Sequence, residues 1–191
     1  GILQIAVLVK QVPAVDTVKI DENTGTMIRD GVEAELNPLD LHAVEAAVRI
    51  KESRPGVEIT AVTMGPQAGP FDLLFAGERA TDGETGQVGP ACAELMGIGV
   101  LSYVSAVEEL TDEKIRVVRA VEGGHETVES PLPAMVIPVK EMNIPRLCTL
   151  GGKLRAKEAE VPLETADGLS MDAAETGLTG SATQVVNVTY P

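Results

Sequence analysis

Gly77-Glu78-Arg79-Ala80-Thr81-Asp82-Gly83-Glu84-Thr85-Gly86-Gln87-Val88-Gly89-Pro90 stands between the apolar run Leu73 to Ala76 and an amphipathic stretch, with glycines at 77, 83, 86 and 89. That order reads as a strand, a loop and a helix. Gly83, Gly86 and Gly89 let backbone amides come close to a ligand. The amides that open the following helix, together with its dipole, favour a phosphate there. An ordinary glycine-rich turn between a strand and a helix has the same look, and the loop by itself leaves both readings open.

Upstream, Asn37-Pro38-Leu39-Asp40 predicts a helix start, with Asn as N-cap, Pro at the first helical position and an acid in the first turn. Leu39, Ala43, Ala46, Ala47 and Ile50 recur at helical spacing, so the helix to about Lys51 packs one face on a sheet and leaves the cap facing outward. Taken alone the cap is a structural signal, since most capped helices bind nothing.

Strands are expected at about Leu3 to Val9, Ile59 to Met64 and Leu73 to Ala76, with a turn-rich excursion at Asp21-Glu22-Asn23-Thr24-Gly25. A helix near Gln87 to Met96 is stopped by Gly97. Tyr103 to Val107, Lys114 to Val121 and Glu126 to Glu129 follow as strands, with Glu122-Gly123-Gly124-His125 as a hairpin turn, and Ala134 to Val139 as a last buried strand. Alternating strand and helix predicts a doubly wound α/β sheet whose ligand crevice lies beyond the carboxyl ends of the strands. The loops after Leu8, Met64 and Ala76 all fall at such ends. Residues 1–145 form this domain. Beyond Pro145 the chain is polar, with Gly151-Gly152, Gly168, Gly177 and Gly180 and too little periodic apolar surface for a core, so residues 146–191 read as an arm laid on a partner subunit.

One junction breaks the pattern. Ile59 to Met64 and Leu73 to Ala76 both read as buried parallel strands, yet only Gly65 to Phe71 fall between their main runs, and a parallel crossover needs about a dozen residues or more. A segment is therefore expected to be absent around Ala68-Gly69, either deleted in this protein or missing from the sequence.

The chain has 191 residues, 44% of them hydrophobic, enough to bury one substantial core. A formal charge of −14 argues against nucleic acid, which requires a basic stripe that is lacking here. No run reaches the roughly 20 apolar residues of a membrane span, and the apolar N-terminus reads as a first strand rather than a signal peptide. The cytoplasm is the expected location, or the mitochondrial matrix in a eukaryote. Cys92 and Cys148 lack a partner motif, and only His42 and His125 could add imidazole ligands, so neither a disulfide framework nor a metal site is expected and the thiols read as buried or inert. Neither histidine has a Ser, Cys or carboxylate at triad spacing, and no catalytic residue is assigned. Aromatics are only 2% of the chain, namely Phe71, Phe75, Tyr103 and Tyr190, which leaves few rings to stack on a flavin. Lys153, Arg155 and Lys157 form a basic cluster that reads either as a solvated face or as a contact for a flavin phosphate or an acidic partner.

Together, Ile5-Ala6-Val7-Leu8-Val9-Lys10-Gln11-Val12-Pro13, Val62-Thr63-Met64-Gly65-Pro66 and Asp82 to Pro90 resemble the β subunit of electron transfer flavoprotein. The likeness continues through Asp30-Gly31-Val32, Asn37 to Asp40 and Pro145-Arg146-Leu147-Cys148-Thr149-Leu150, covering nearly the whole chain in the family's order. The resemblance implies a Rossmann-like, mainly parallel sheet that binds an adenine nucleotide, in a heterodimer whose α subunit carries an electron-transferring FAD. In one branch the β-site nucleotide is AMP with a structural role. In the other it is a second FAD that takes hydride from NADH, splitting the electron pair between an acyl-CoA dehydrogenase-type partner and ferredoxin or flavodoxin.

By motif position the resemblance implies nucleotide contacts at Leu8, Asn37, Pro38, Leu39, Asp40 and Met64. Around the glycine loop it implies contacts at Ala80, Thr81, Asp82, Gly83, Glu84, Thr85, Gly86, Gln87, Val88, Gly89, Pro90 and Ala91. Leu150 matches the family's partner-recognition leucine. Val12-Pro13, Lys19-Ile20-Asp21, Thr24-Gly25-Thr26 and Thr85 to Pro90 look more like the bifurcating branch, while Glu78 and Thr81 depart from the pattern near the pocket. A stress-protein-like ATP-binding module is a rival, but its Ser-Gly-Gly-x-Asp-Ser loop after the first strand is replaced here by Lys10-Gln11-Val12-Pro13. A structural subunit with an emptied site is a third reading.

Overall fold

The structure, a computed structural model, describes residues 2–14, 19–20, 27–28, 34–63, 71–163 and 165–181. Met64 and the Ala68-Gly69 junction lie outside these residues. The chain divides into two compact units, one of Gly1–Val12 with Leu36–Leu147 and the other of Pro13–Glu35 with Cys148–Pro191. The elements run β1 (Leu3–Leu8), β2 (Gln11–Pro13), β3 (Lys19–Ile20), β4 (Met27–Ile28), β5 (Ala34–Leu36), α1 (Pro38–Ser53), β6 (Val57–Val62), β7 (Leu73–Ala76), α2 (Val88–Met96), β8 (Gly99–Leu110), β9 (Lys114–Val121), β10 (Gly124–Pro131), β11 (Ala134–Pro138), α3 (Leu150–Glu158) and α4 (Gly177–Gly180).

The first unit is built on a seven-stranded sheet in the order β10-β9-β8-β11-β7-β1-β6. From β6 to β8 the strands are parallel, with Leu3 opposite Val57, Ile5 opposite Leu73, Met135 opposite Leu74 and Val100 opposite Met135. β9 and β10 extend this sheet in antiparallel sense. The central strands β7 and β11 are buried throughout, because parallel strands in this fold class have helices on both faces. Ala43, Ala46 and Ala47 of α1 share a core with Ile5, Val7, Leu73, Phe75 and Val136. Ala93 of α2 packs on the other face against Ala6, Leu74, Ala76, Met135 and Ile137. Alternate residues of each strand feed opposite cores, as the two-residue period requires.

Three expectations need correction. The strand expected over Ile59 to Met64 runs instead from Val57 to Val62 at the sheet edge. Only Val57 is buried, and Val57 and Ile59 alternate with exposed Glu58 and Thr60, as in a strand covered on one face. β8 is far longer than Tyr103 to Val107, because its first half pairs with β11 and its second half with β9. Asn37 does occupy the N-cap position of α1, but it makes no side-chain cap bond and is buried rather than outward-facing. Elsewhere the expected stops hold: Gly97 adopts φ +66, and the amides of Gly97 and Ile98 return to the carbonyls of Glu94 and Ala93, closing α2. Gly123 takes φ +83 in the β9–β10 hairpin turn.

In the second unit β3 and β4 pair antiparallel, Lys19 opposite Ile28. Thr149 caps α3, its Oγ1 accepting the Gly152 amide at 3.0 Å. None of the residues of this unit whose exposure is described is buried.

Candidate functional site: a glycine-loop cleft at the strand ends

The site is built on the carboxyl ends of β1 and β7. Just past β1, the Lys10 amide donates to Asp40 Oδ2 at 2.7 Å and the Lys10 carbonyl accepts the Asn37 amide at 2.8 Å. Asn37 Nδ2 donates to Asp40 Oδ1 at 2.8 Å and to the Arg79 carbonyl at 2.9 Å, while Asn37 Oδ1 accepts the Thr81 amide at 3.3 Å. Both hydrogens of the amide and its oxygen are thereby committed, and at 1% exposure Asn37 is a strut between the two βα loops rather than a group offered to a ligand. The correction of the outward-facing cap follows: Pro38 already fixes the helix start, which frees the Asn37 side chain for these long-range bonds.

Gly77 completes the strut. A Cβ there would lie 2.0 Å from Asp40 Oδ1, so only glycine lets β7 exit past that carboxylate. Burial pushes the Asp40 carboxyl above the ordinary carboxylate value, while the bonds from Asn37 and the Lys10 amide and the Lys10 charge oppose the shift. Lys10 Nζ reaches Asp82 Oδ1 at 2.8 Å, and the same oxygen accepts the Gly83 amide at 2.8 Å, tying the loop's tip to the end of β1.

Beyond the strut lies a cleft of about 250 Å³, lined by Glu78, Arg79, Glu84, Thr85, Gly86, Gln87, Pro90, Ser102, Tyr103 and Ile137. Glu84 and Gly86 take left-handed φ values of +49 and +63. Gly89 is buried where α2 meets the sheet, and a Cβ there would come 2.7 Å from Ile137 Cδ1 and 3.3 Å from Ala76 Cβ. The third wall is a bulge in β8: Ser102 pairs with Ile137 and Val104 with Pro138, so Tyr103 is left over, with φ +59.

Of the residues expected from the sequence, Glu84, Thr85, Gly86, Gln87 and Pro90 line the cleft, while Asn37, Asp40 and Asp82 brace it. Leu8 ends β1 half-buried; Pro38 is exposed and Leu39 half-buried on α1. Ala80 is half-buried, Thr81 and Gly83 are exposed in the loop, and Val88 and Ala91 are exposed on α2. Lys10, Glu78, Arg79, Ser102, Tyr103 and Ile137 were not among the expected site residues. Lys10 and Arg79 stood inside the quoted motifs, and Tyr103 was one of four aromatic residues, but nothing in the sequence aimed them at the site.

The donor set fits a phosphorylated nucleotide: backbone amides at a left-handed glycine turn, the opening of α2 and one guanidinium. The cleft falls just short of the roughly 300 Å³ at which ligand pockets begin, so a nucleotide seated in it would be enclosed only in part and the rest of it would extend outward. Glu78 and Glu84 also line the cleft, so the phosphate donors act there against two carboxylates.

Past β11, a segment is clamped to α1. Arg146 Nε and Nη2 donate to Glu45 at 2.8 and 3.0 Å, and Nη1 and Nη2 to Glu52 at 2.5 and 2.9 Å. Glu45 also receives Arg49 Nε at 2.8 Å, and these guanidinium bonds lower its pKa to about 2 despite burial. Asn143 Nδ2 donates to the His42 carbonyl at 2.9 Å. Leu147 is 94% exposed; Leu150, the first residue of α3, is 75% exposed, with Lys153, Arg155 and Lys157 exposed on the same helix. Burial pushes the Cys92 thiol up, whereas Cys148 is exposed. Among the described residues no group of three His, Cys, Asp or Glu is arranged for a metal, and no helix is long and apolar enough to cross a membrane.

The fold and cleft define an α/β protein with a glycine-loop site at the carboxyl ends of a parallel sheet. The profile of the electron transfer flavoprotein domain matches residues 24–70 and 67–168, and the chain belongs to the electron transfer flavoprotein family. It is 35% identical to the electron transfer flavoprotein subunit beta of Thermoanaerobacterium thermosaccharolyticum over 232 aligned positions, covering 99% of this chain and 88% of the relative. It is 34% identical to subunit CarD of the caffeyl-CoA reductase-Etf complex of Acetobacterium woodii, covering 96% and 86%. Protein FixA of Bradyrhizobium diazoefficiens is 30% identical, covering 97% and 81%.

Proposed function

We propose that this chain is the β subunit of a heterodimeric electron transfer flavoprotein and that its cleft holds the AMP portion of an adenine nucleotide. The observation that carries the reading is the buried Asn37–Asp40 strut, which holds the glycine loop against the end of β1. Loop and α2 amides with Arg79 then bind phosphate, Gly86 gives it close access, and Ile137 and Tyr103 line the same cleft. No side chain in the quoted motifs stands out as a proton-transfer group, and the role we assign to the chain is to position a cofactor.

The occupant we favour is FAD, with its AMP half in the cleft and its remainder extending outward, towards NADH as electron donor. A flavin supplies acceptance of an electron pair and its release one electron at a time. The sequence flanks Val12-Pro13 and Thr85 to Pro90 support that branch. In this reading the partners would be an α subunit carrying its own FAD, an acyl-CoA dehydrogenase-type enzyme and, as second acceptor, ferredoxin or flavodoxin. The room in the cleft favours a second reading, AMP alone in a structural role.

Leu150 is the partner-recognition leucine in this reading, supported by its exposure, and the arm of residues 146–191 covers the α subunit. A segment is absent around Ala68-Gly69. Support comes from a profile match in two pieces that meet at residues 67–70, and from an alignment of 232 positions against a chain of 191. Extraction of the purified heterodimer tests the occupant: two flavins per dimer are expected, one flavin plus AMP establishes the structural alternative, and one flavin with no nucleotide refutes both.

A further inference from the structure

Tyr103 sits at φ +59 in the one place where β8 loses register with β11, and it lines the same cleft as the glycine loop. Residues other than Gly, Asn and Asp avoid that conformation, and a bulky side chain held there is an outlier of the kind that collects at functional sites. A bulge is also the common device for re-aiming a side chain out of the sheet's alternation. Tyr103 is not held there by core packing, since it is 50% exposed. Of the other rings, Phe75 is fully buried in the core and Phe71 does not line the cleft, so among the described residues Tyr103 is the cleft's single aromatic face.

We propose that Tyr103, presented by the β8 bulge in the cleft that the Glu84–Gln87 loop also lines, stacks on the adenine ring and provides the base-binding surface of the site. The inference rests on the reading of the cleft as a nucleotide site. A phosphate at the opening of α2 and a base on Tyr103 would be the two ends of a mononucleotide laid along the cleft that both line. Stacking suits a neutral ring in a cleft that also carries the carboxylates Glu78 and Glu84.

The test is calorimetric titration of the heterodimer, freed of its β-site nucleotide, with AMP and with ribose 5-phosphate. Wild type, Tyr103→Phe, Tyr103→Leu and Tyr103→Gly are compared. Tyr103→Phe should bind AMP within about twofold of wild type, whereas the Leu and Gly variants should weaken it about tenfold, in line with base–aromatic stacking. Ribose 5-phosphate should bind all four alike. Tyr103→Gly should melt no lower than wild type, because glycine accepts φ +59 without strain. Unchanged AMP affinity in the Leu and Gly variants, or an equal loss of AMP and ribose 5-phosphate, overturns the stacking role while leaving the cleft assignment standing. Failure of wild type to bind AMP overturns both.

Discussion

Asn37 Nδ2 donates to Asp40 Oδ1 at 2.8 Å across the first turn of α1, and through Asn37 that pair also reaches Arg79 and Thr81, which belong to a different βα loop. Removing the Asn37 side chain leaves the Asp40 carboxylate, the Arg79 carbonyl and the Thr81 amide without these partners. Asn37→Ala should therefore destabilise the protein by about 2 kcal/mol and weaken cleft occupancy, because buried polar groups lose their bonds while the helix start is kept by Pro38. A thermal midpoint within a degree of wild type would show that the strut holds nothing.

Gly77 and Gly83 offer a matched pair. A Cβ at Gly77 collides with the Asp40 carboxylate, whereas one at Gly83 meets nothing within 4 Å. Gly77→Ala should lower the melting temperature and the nucleotide content together, and Gly83→Ala should change neither. Equal behaviour of the two variants in a melting series would remove the steric role of Gly77.

The Arg146 clamp has a definite pH signature. Glu45 titrates near 2 when folded, against an ordinary 4.5, so its contribution to stability is complete above about 4.5 and is lost as pH falls towards 2. Asp40 works in the opposite direction: its raised folded value means that protonation favours the folded state as pH falls. Glu45→Gln should flatten the acid limb of the stability curve and leave cleft binding intact. An acid limb of unchanged steepness in that variant would assign the transition to other carboxylates.

Much of the fold was legible because its signals are local. The apolar run Leu73 to Ala76, the Pro38 helix start, the Gly97 stop and the Gly123 turn each depend on a few neighbouring residues, and each appears where expected. The site was legible only in part. Asn37 was read as an outward cap because its real partner, Arg79, lies 42 residues away, and no local pattern announces such a bond. β6 was read as buried because Ile59, Ala61 and Val62 are apolar, whereas its edge position is set by strand order. The Tyr103 bulge depends on β11 pairing with β8 on either side of it, a registration that no spacing within β8 reveals.

The most direct measurement concerns Gly86, which takes φ +63 on the cleft wall. A valine there is strained by the backbone conformation and fills the close approach to the nucleotide. In a purified Gly86→Val heterodimer, counted by extraction and chromatography, the β-site nucleotide should fall well below one per dimer while the α-subunit flavin stays at one. Full β-site nucleotide content in that variant would contradict the assignment of the cleft.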